Sequence, residues 1–407
     1  MINKIINLSL RQFLIVSFGF FFVIWGTSWT FPLIEIPYTY IWISFSVFCL
    51  VFFNNYRIKI NEILVFGLIL TVASFYFILG MPDSLSSDKP IADLTYLIIY
   101  YLKIILGFLT FWALLNVFNK EKDLVLFIVS CSVFVILIIS FLAWKYLIVY
   151  DLDYIGVIVD DSLGGNKTFK NSLATSLALL TPFLFAGLNK EKKFKSLFLV
   201  SFFVVLFFMY WVNSRSALMI LGLQFILLLF LSKSKAVKRV VRISSVILVI
   251  VLTVTGFSLS QWISKSGSYS DSGYQLVVQE GLMQTHRGRM LISALDGAYK
   301  SAGLGNGLST FRIRPENQGS RTETHNDYAL LLYEQGIIGF GLITYLILWR
   351  IFLSIKLARQ LSNRYVEASA ASLVGLLFSM IFINIIQTSI FWTLIALNYS
   401  IFKIYKK

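Results

Sequence analysis

Long apolar runs, each closed by a short polar stretch, recur along nearly the whole chain. At roughly 20 apolar residues per span, they predict helices over 12–30, 34–53, 62–81, 95–118, 123–144, 171–188, 195–213, 216–232, 241–260, 326–349, 368–386 and 388–403. Lipid offers no hydrogen-bond partner to an exposed peptide group, so each run must satisfy its backbone internally, as a helix does. Strands of a membrane barrel are shorter and alternate in polarity, which disfavours a barrel. The expected fold is all-α: a polytopic integral membrane protein of about 12 transmembrane helices, with residues 1–407 as a single integral membrane domain.

The polar stretches carry an alternating charge signal. Basic clusters stand at Lys4 and Arg11, Arg57 and Lys59, Lys120 and Lys122, Lys190 to Lys195, Lys233 to Arg242, Arg350 to Arg364, and Lys403 to Lys407. These fall at every second helix end, and cytoplasmic loops are the basic ones. Both termini are therefore expected in the cytoplasm. The intervening connections carry Asp83 and Asp88, then Asp151, Asp153, Asp160 and Asp161, and are expected outside it.

The polar interruption after Ser260 is much longer than the others. Residues 260–325 form a long loop between the ninth and tenth predicted spans, on the face opposite the basic clusters. Ser264 to Gly273 is rich in serine and glycine and should be irregular. Tyr274 to Tyr299 has Leu276, Met283, Met290, Leu291 and Leu295 available for one helix face. Gly303, Gly305 and Gly307 then break the pattern, and a sharp change of direction is the reading favoured for them. The turn lacks the preceding strand and Lys-Ser/Thr ending of a phosphate loop.

Composition sharpens this picture. Only 14% of residues are charged and 57% are hydrophobic, against about 25% charged in soluble domains. A formal charge of +15 could suggest nucleic acid, but most of it sits in the short basic clusters, where membrane orientation accounts for it. No nucleic-acid partner is expected. Cys49 and Cys131 both lie in apolar runs, so neither a disulfide framework nor a thiolate metal site follows. The first run reads as a retained helix and not a cleaved signal.

Three residues at the expected outer face carry suitable chemistry. Arg215, in Asn213-Ser214-Arg215-Ser216-Ala217, stands at a helix mouth. Charge is expensive there, and both a snorkelling structural arginine and an anion-binding one fit. Arg289 belongs to His286-Arg287-Gly288-Arg289. Its planar fork suits phosphate oxygens, while a solvated loop position fits equally. His325, in Thr324-His325-Asn326-Asp327, stands at the water–membrane boundary and suits proton removal from a hydroxyl; a packed or capping histidine is the plainer reading. Asp327 and Glu323 are the neighbouring carboxylates available to orient it. With two histidines and no compact carboxylate cluster, no dedicated metal site and no cofactor are expected.

The ordered stretches Gly165-Asn166 to Asn171, Asn213 to Ala217, Arg289 with Ser301 to Gly307, and His325-Asn326-Asp327-Tyr328 with Glu334-Gln335-Gly336 together resemble the O-antigen ligase and polymerase superfamily. That resemblance implies a GT-C-type glycosyltransferase fold in a bacterial inner membrane, with the long loop and active site on the periplasmic side. It implies an undecaprenyl-diphosphate-linked O-antigen donor and, for a ligase, a lipid A–core oligosaccharide acceptor. A repeat-unit polymerase would instead extend a second lipid-linked repeat. The family's two arginines correspond to Arg215 and Arg289 and its histidine to His325. Arg287, Arg312, Arg314, Arg321, Asn171 and Asn326 are further substrate-contact candidates. Ligase is preferred over polymerase on the lack of a large extra soluble domain, and protein O-oligosaccharyltransferases are less favoured. A lipid-linked glycan transporter or flippase is the alternative from another class, since it too would place charge inside a helical bundle.

Overall fold

The computed structural model describes residues 10–24, 42–47, 60–144, 169–212, 214–233, 238–239, 241–243, 246, 286–313 and 324–406. Among these the regular structure is helical throughout. The helices are α1 (Leu10–Ile24), α2 (Ile60–Leu85), α3 (Pro90–Val117), α4 (Glu121–Ala143), α5 (Phe169–Lys190), α6 (Lys195–Trp211) and α7 (Arg215–Leu231). The chain continues through α8 (His286–Lys300), the single turn α9 (Thr310–Ile313), α10 (Asp327–Leu361), α11 (Arg364–Ser379) and α12 (Ser389–Tyr405). Among the described residues five stretches are long and apolar enough to cross a membrane: Phe66–Leu85, Pro90–Val117, Glu121–Ala143, Lys192–Trp211 and Asp327–Leu361. The molecule is thus an all-α, multi-pass membrane protein. Ten of the expected spans coincide with α1 to α7 and α10 to α12, whereas 34–53 and 241–260 fall largely outside the described residues.

Helix α11 packs against α5, α7, α10 and α12. Its sequence explains how four neighbours fit around it: Ala368, Ser369, Ala370, Ala371 and Ser372 are all buried, and small side chains let helix backbones approach where lipid supplies no hydrophobic drive. The Ser372 hydroxyl uses that approach to donate to the Leu179 carbonyl of α5 at 2.8 Å. On the other side, α12 packs on α3 and α3 on α2, with Trp392 and Phe66 fully buried between them.

Polar contacts tie many helix ends together at one face. Arg11, beginning α1, donates to the Val117 carbonyl at 2.8 Å and pairs with Asp123 at the start of α4. Lys403 of α12 reaches Asn119 at 2.7 Å, and Lys233 after α7 reaches the Arg359 carbonyl near the end of α10 at 3.0 Å. The described ends of the chain, Leu10 and Lys406, are therefore on one side of the bundle. By helix direction, the starts of α7 and α10 are on the other.

Arg350 departs from the sequence reading, which grouped it with the basic loop. It is 6% exposed, donating through Nε to Asn398 Oδ1 at 2.7 Å and lying over the Tyr399 ring at 3.7 Å. Asn398 in turn donates to Ser354 and Ser369, each at 2.7 Å. Charge inside a bundle survives when it is paired and hydrogen-bonded, and this network spans α10, α11 and α12.

Candidate functional site

Helix α10 is 35 residues long, with Gly336 at φ 62° and ψ −165° breaking it into two pieces. At about 1.5 Å per residue, Ile337 to Leu361 alone exceeds a hydrocarbon core of about 30 Å. The first piece, Asp327 to Gln335, therefore stands at the membrane edge, on the face away from the basic clusters.

The break leaves backbone groups that the helix would otherwise pair. The glycine turn supplies their partners: Asn306 N–H donates to Tyr333 O (2.9 Å), Gly307 N–H to Glu334 O (3.0 Å), and Ile337 N–H to Gly303 O (2.9 Å). Tyr76 of α2 completes the joint, its hydroxyl donating to Leu304 O at 2.6 Å and its carbonyl accepting from Leu308 N–H at 2.9 Å. Gly303, Gly305 and Gly307 have positive φ, so the expected change of direction occurs. What the spacing did not reveal is that this turn and Glu334-Gln335-Gly336 form one structural unit.

His325 sits in a tight turn at φ 52° and is half-buried. The two residues after it are fixed. Asn326 is the N-cap of α10, its Oδ1 accepting from Ala329 N–H at 3.0 Å while its Nδ2 donates to Ile381 O at 3.2 Å. Asp327 donates its N–H to Met380 O at 2.8 Å, and its buried Oδ2 accepts from Ile385 and Ile386 N–H at 2.7 and 3.1 Å. Tyr328 adds a hydroxyl bond to Leu377 O at 2.6 Å. The turn holding His325 is thereby stapled to the α11–α12 connection.

Helix α8 runs beside this first piece of α10. Gly297 packs against Tyr333, and farther on Gly303 meets Ile337, so the two run in the same direction. A small core of Met290, Ala294, Phe311, Ala329, Leu330 and Tyr333 extends the contact back toward their starts. Counting eight residues back from Gly297 and from Tyr333 reaches Arg289 and His325 respectively. Both thus belong to the same end of the helix pair, with Arg289 exposed. Arg215 opens α7 on the same face of the bundle.

The remaining candidates are spread over several elements. Arg287 is in the first turn of α8 and Asn171 in the first turn of α5, while Arg314 and Arg321 lie outside the described residues. Arg312 belongs to α9, where its guanidinium carbon lies 3.8 Å from the Tyr96 ring centre. With Tyr96, Tyr100, Ser309, Glu334 and Gln387 it lines a narrow cleft with room for about one water. Of these, sequence reasoning selected only Arg312. Glu334, a carboxylate inside a predicted span, was the available signal, whereas Gln387 falls at the join between two spans. Among the described residues no group of three or more His, Cys, Asp and Glu side chains comes together.

Residues 200–344, from α6 past the break in α10, match the family model described as O-antigen ligase. The stretch contains Arg215, Arg289, Arg312 and His325, together with the glycine joint. No curated protein matches the chain.

Proposed function

We propose that this chain is a membrane glycosyltransferase that moves an undecaprenyl-diphosphate-linked glycan onto a sugar hydroxyl of lipid A–core oligosaccharide at the periplasmic face of a bacterial inner membrane. The observation that carries the reading is the match of residues 200–344 to the O-antigen ligase model. Its support in the geometry is that His325 and Arg289 share one end of a helix pair that packs through Gly297 and Tyr333 and is capped by the Asn326 side chain.

In the proposed reaction the acceptor oxygen attacks the donor's anomeric carbon from the side opposite the diphosphate. The new glycosidic bond forms as the carbon–oxygen bond to diphosphate breaks, inverting the centre. His325 takes the hydroxyl proton, and undecaprenyl diphosphate leaves with the bonding pair. Arg215 and Arg289 offset the charge gathering on that leaving group, so the cationic work needs no metal. A GT-C-type scaffold and cytoplasmic termini belong to the same proposal.

The same groups would serve a repeat-unit polymerase, whose acceptor is a second lipid-linked repeat. A two-acceptor assay with purified protein and one lipid-linked donor decides the matter. Product on lipid A–core is expected. Extension of the lipid-linked repeat would make the chain a polymerase, and absence of any glycosidic bond, with donor moved across liposomes, would make it a transporter.

A further inference from the structure

We propose that α8 is an interfacial helix whose exposed side, away from α10, lies against the lipid of the bilayer face that holds the histidine turn. The inference rests on the membrane fold and not on the transfer reaction.

The sequence of α8 divides the helix into three faces. Met290, Ala294, Gly297 and Ala298 are buried on the side that meets the first piece of α10. Arg289, Ser293, Asp296 and Lys300, at i, i+4, i+7 and i+11, make a narrow polar arc, within which Asp296 and Lys300 pair at 2.6 Å. Ile292, Leu295 and Tyr299, at i, i+3 and i+7, make the third face, and all three are exposed. A helix that covers a core from the water side carries polar residues opposite its buried stripe. Here the side roughly opposite is apolar, as in helices that lie in a membrane surface.

Where the helix ends decides what covers that face. Gly303 meets Ile337, and the next residue, Leu304, is 71% exposed. Ile337 and Ile338 open the membrane-crossing piece of α10, and Ile338 heads an exposed row of Tyr345, Trp349 and Phe352 along it. The apolar face of α8 thus runs on, through Leu304, into a surface that lipid covers, and contiguous apolar exposure of this kind marks a membrane contact. Depth leads to the same place. Tyr76 bonds Leu304 O through its hydroxyl and Leu308 N–H through its carbonyl. It stands nine residues before the end of α2 at Leu85, about 13 Å along that helix. Phe66–Leu85 is 20 residues long, about 30 Å and no more than the hydrocarbon thickness, so the turn that ends α8 is held below the bilayer boundary.

With Ile292 and Leu295 in the acyl region, the polar arc comes to the headgroup layer. Tyr299, beside Lys300, brings its hydroxyl to the level where tyrosines gather. Arg289 then stands among lipid phosphates, the height at which a lipid-borne diphosphate would meet it under the transfer reading.

The test uses full-length protein in nanodiscs, with a nitroxide attached to cysteines introduced singly by Ile292→Cys, Leu295→Cys and Leu304→Cys, and by Asp296→Cys and Lys300→Cys on the polar arc. The labelled parent measures background from its own cysteines. Relaxation is compared with O2, which concentrates among acyl chains, and with a water-soluble nickel chelate. O2 should dominate at 292, 295 and 304, most of all at 304, and nickel at 296 and 300. Nickel dominating at all five positions would put the whole helix in water and overturn the proposal. Immobile labels at 292 and 295 that neither reagent reaches would overturn it too, since protein would then cover the face; dipolar broadening between labels would identify that protein as a second copy of the chain. A parent that transfers glycan while nickel dominates throughout loses the interfacial helix alone. One that shows the lipid pattern and forms no glycosidic bond loses the proposed reaction and keeps the helix.

Discussion

Asp327 is one of the two carboxylates that stand two residues from His325, and one of its oxygens holds the Ile385 and Ile386 amides of the α11–α12 connection. Sequence offered Asp327 as a group to orient the histidine, and spacing alone could not show that it also anchors a turn more than fifty residues away. Asp327→Ala would strip the acceptor from two buried N–H groups, and at about 1–3 kcal/mol for each should destabilise the protein by about 2–6 kcal/mol. Thermal unfolding in detergent would read this as a clear fall in Tm, with Asp327→Asn falling less because it keeps one acceptor oxygen. His325→Ala should act on the reaction: in protein that its thermal transition shows to be folded, transfer should fall by about 10²–10⁴-fold, the usual worth of a general base. Transfer at the parent rate would remove the proposed role. Arg289, exposed on α8, should when changed to Ala leave Tm unmoved and raise KM for the donor. An unchanged donor KM would take it out of the diphosphate model.

Helix α10 was the element least legible in advance. The apolar run after His325-Asn326-Asp327 marked the start correctly, because hydropathy is written in adjacent residues; that Asn326 caps the helix is a finding of the structure. The break at Gly336 was not legible, since it depends on a turn about thirty residues earlier that accepts and donates the freed backbone bonds. Its glycine is required twice over: φ is 62°, and a Cβ there would strike the Gly303 carbonyl oxygen. Gly336→Ala should therefore cost about 1–3 kcal/mol in backbone strain, beyond whatever contacts are lost with the turn. Gly341, five residues on, has open space around its Cβ position, so Gly341→Ala is the matched control and should be neutral or slightly stabilising. Comparing the two Tm values checks the joint; equal behaviour would mean that α10 tolerates a continuous helix. Because the joint also positions Glu334 and the start of α10, Gly336→Ala should lose transfer activity at temperatures where it is still folded.

At the scale of the whole molecule, the charge pattern carried more information than any motif. Alternation of basic clusters implied that the two ends of the chain share a face, and Arg11, Asn119, Asp123 and Lys403 form a connected set of contacts there. The exception, Arg350, shows why counting charges is incomplete: a buried asparagine and two aromatic rings can hold an arginine inside the bundle, and nothing adjacent in sequence announces those partners. Geometry relates the faces to each other, while basic retention assigns the compartment. Tyr299, 84% exposed at the end of α8, and Lys406, beyond α12, are suitable reporters on opposite faces. In spheroplasts, a membrane-impermeant maleimide should label Tyr299→Cys directly and Lys406→Cys only after permeabilisation, with the parent chain measuring background from its own cysteines. Reversed labelling would put His325 and the glycine joint in the cytosol, away from the periplasmic lipid A–core acceptor, and the ligase proposal would fail however well the side chains are arranged.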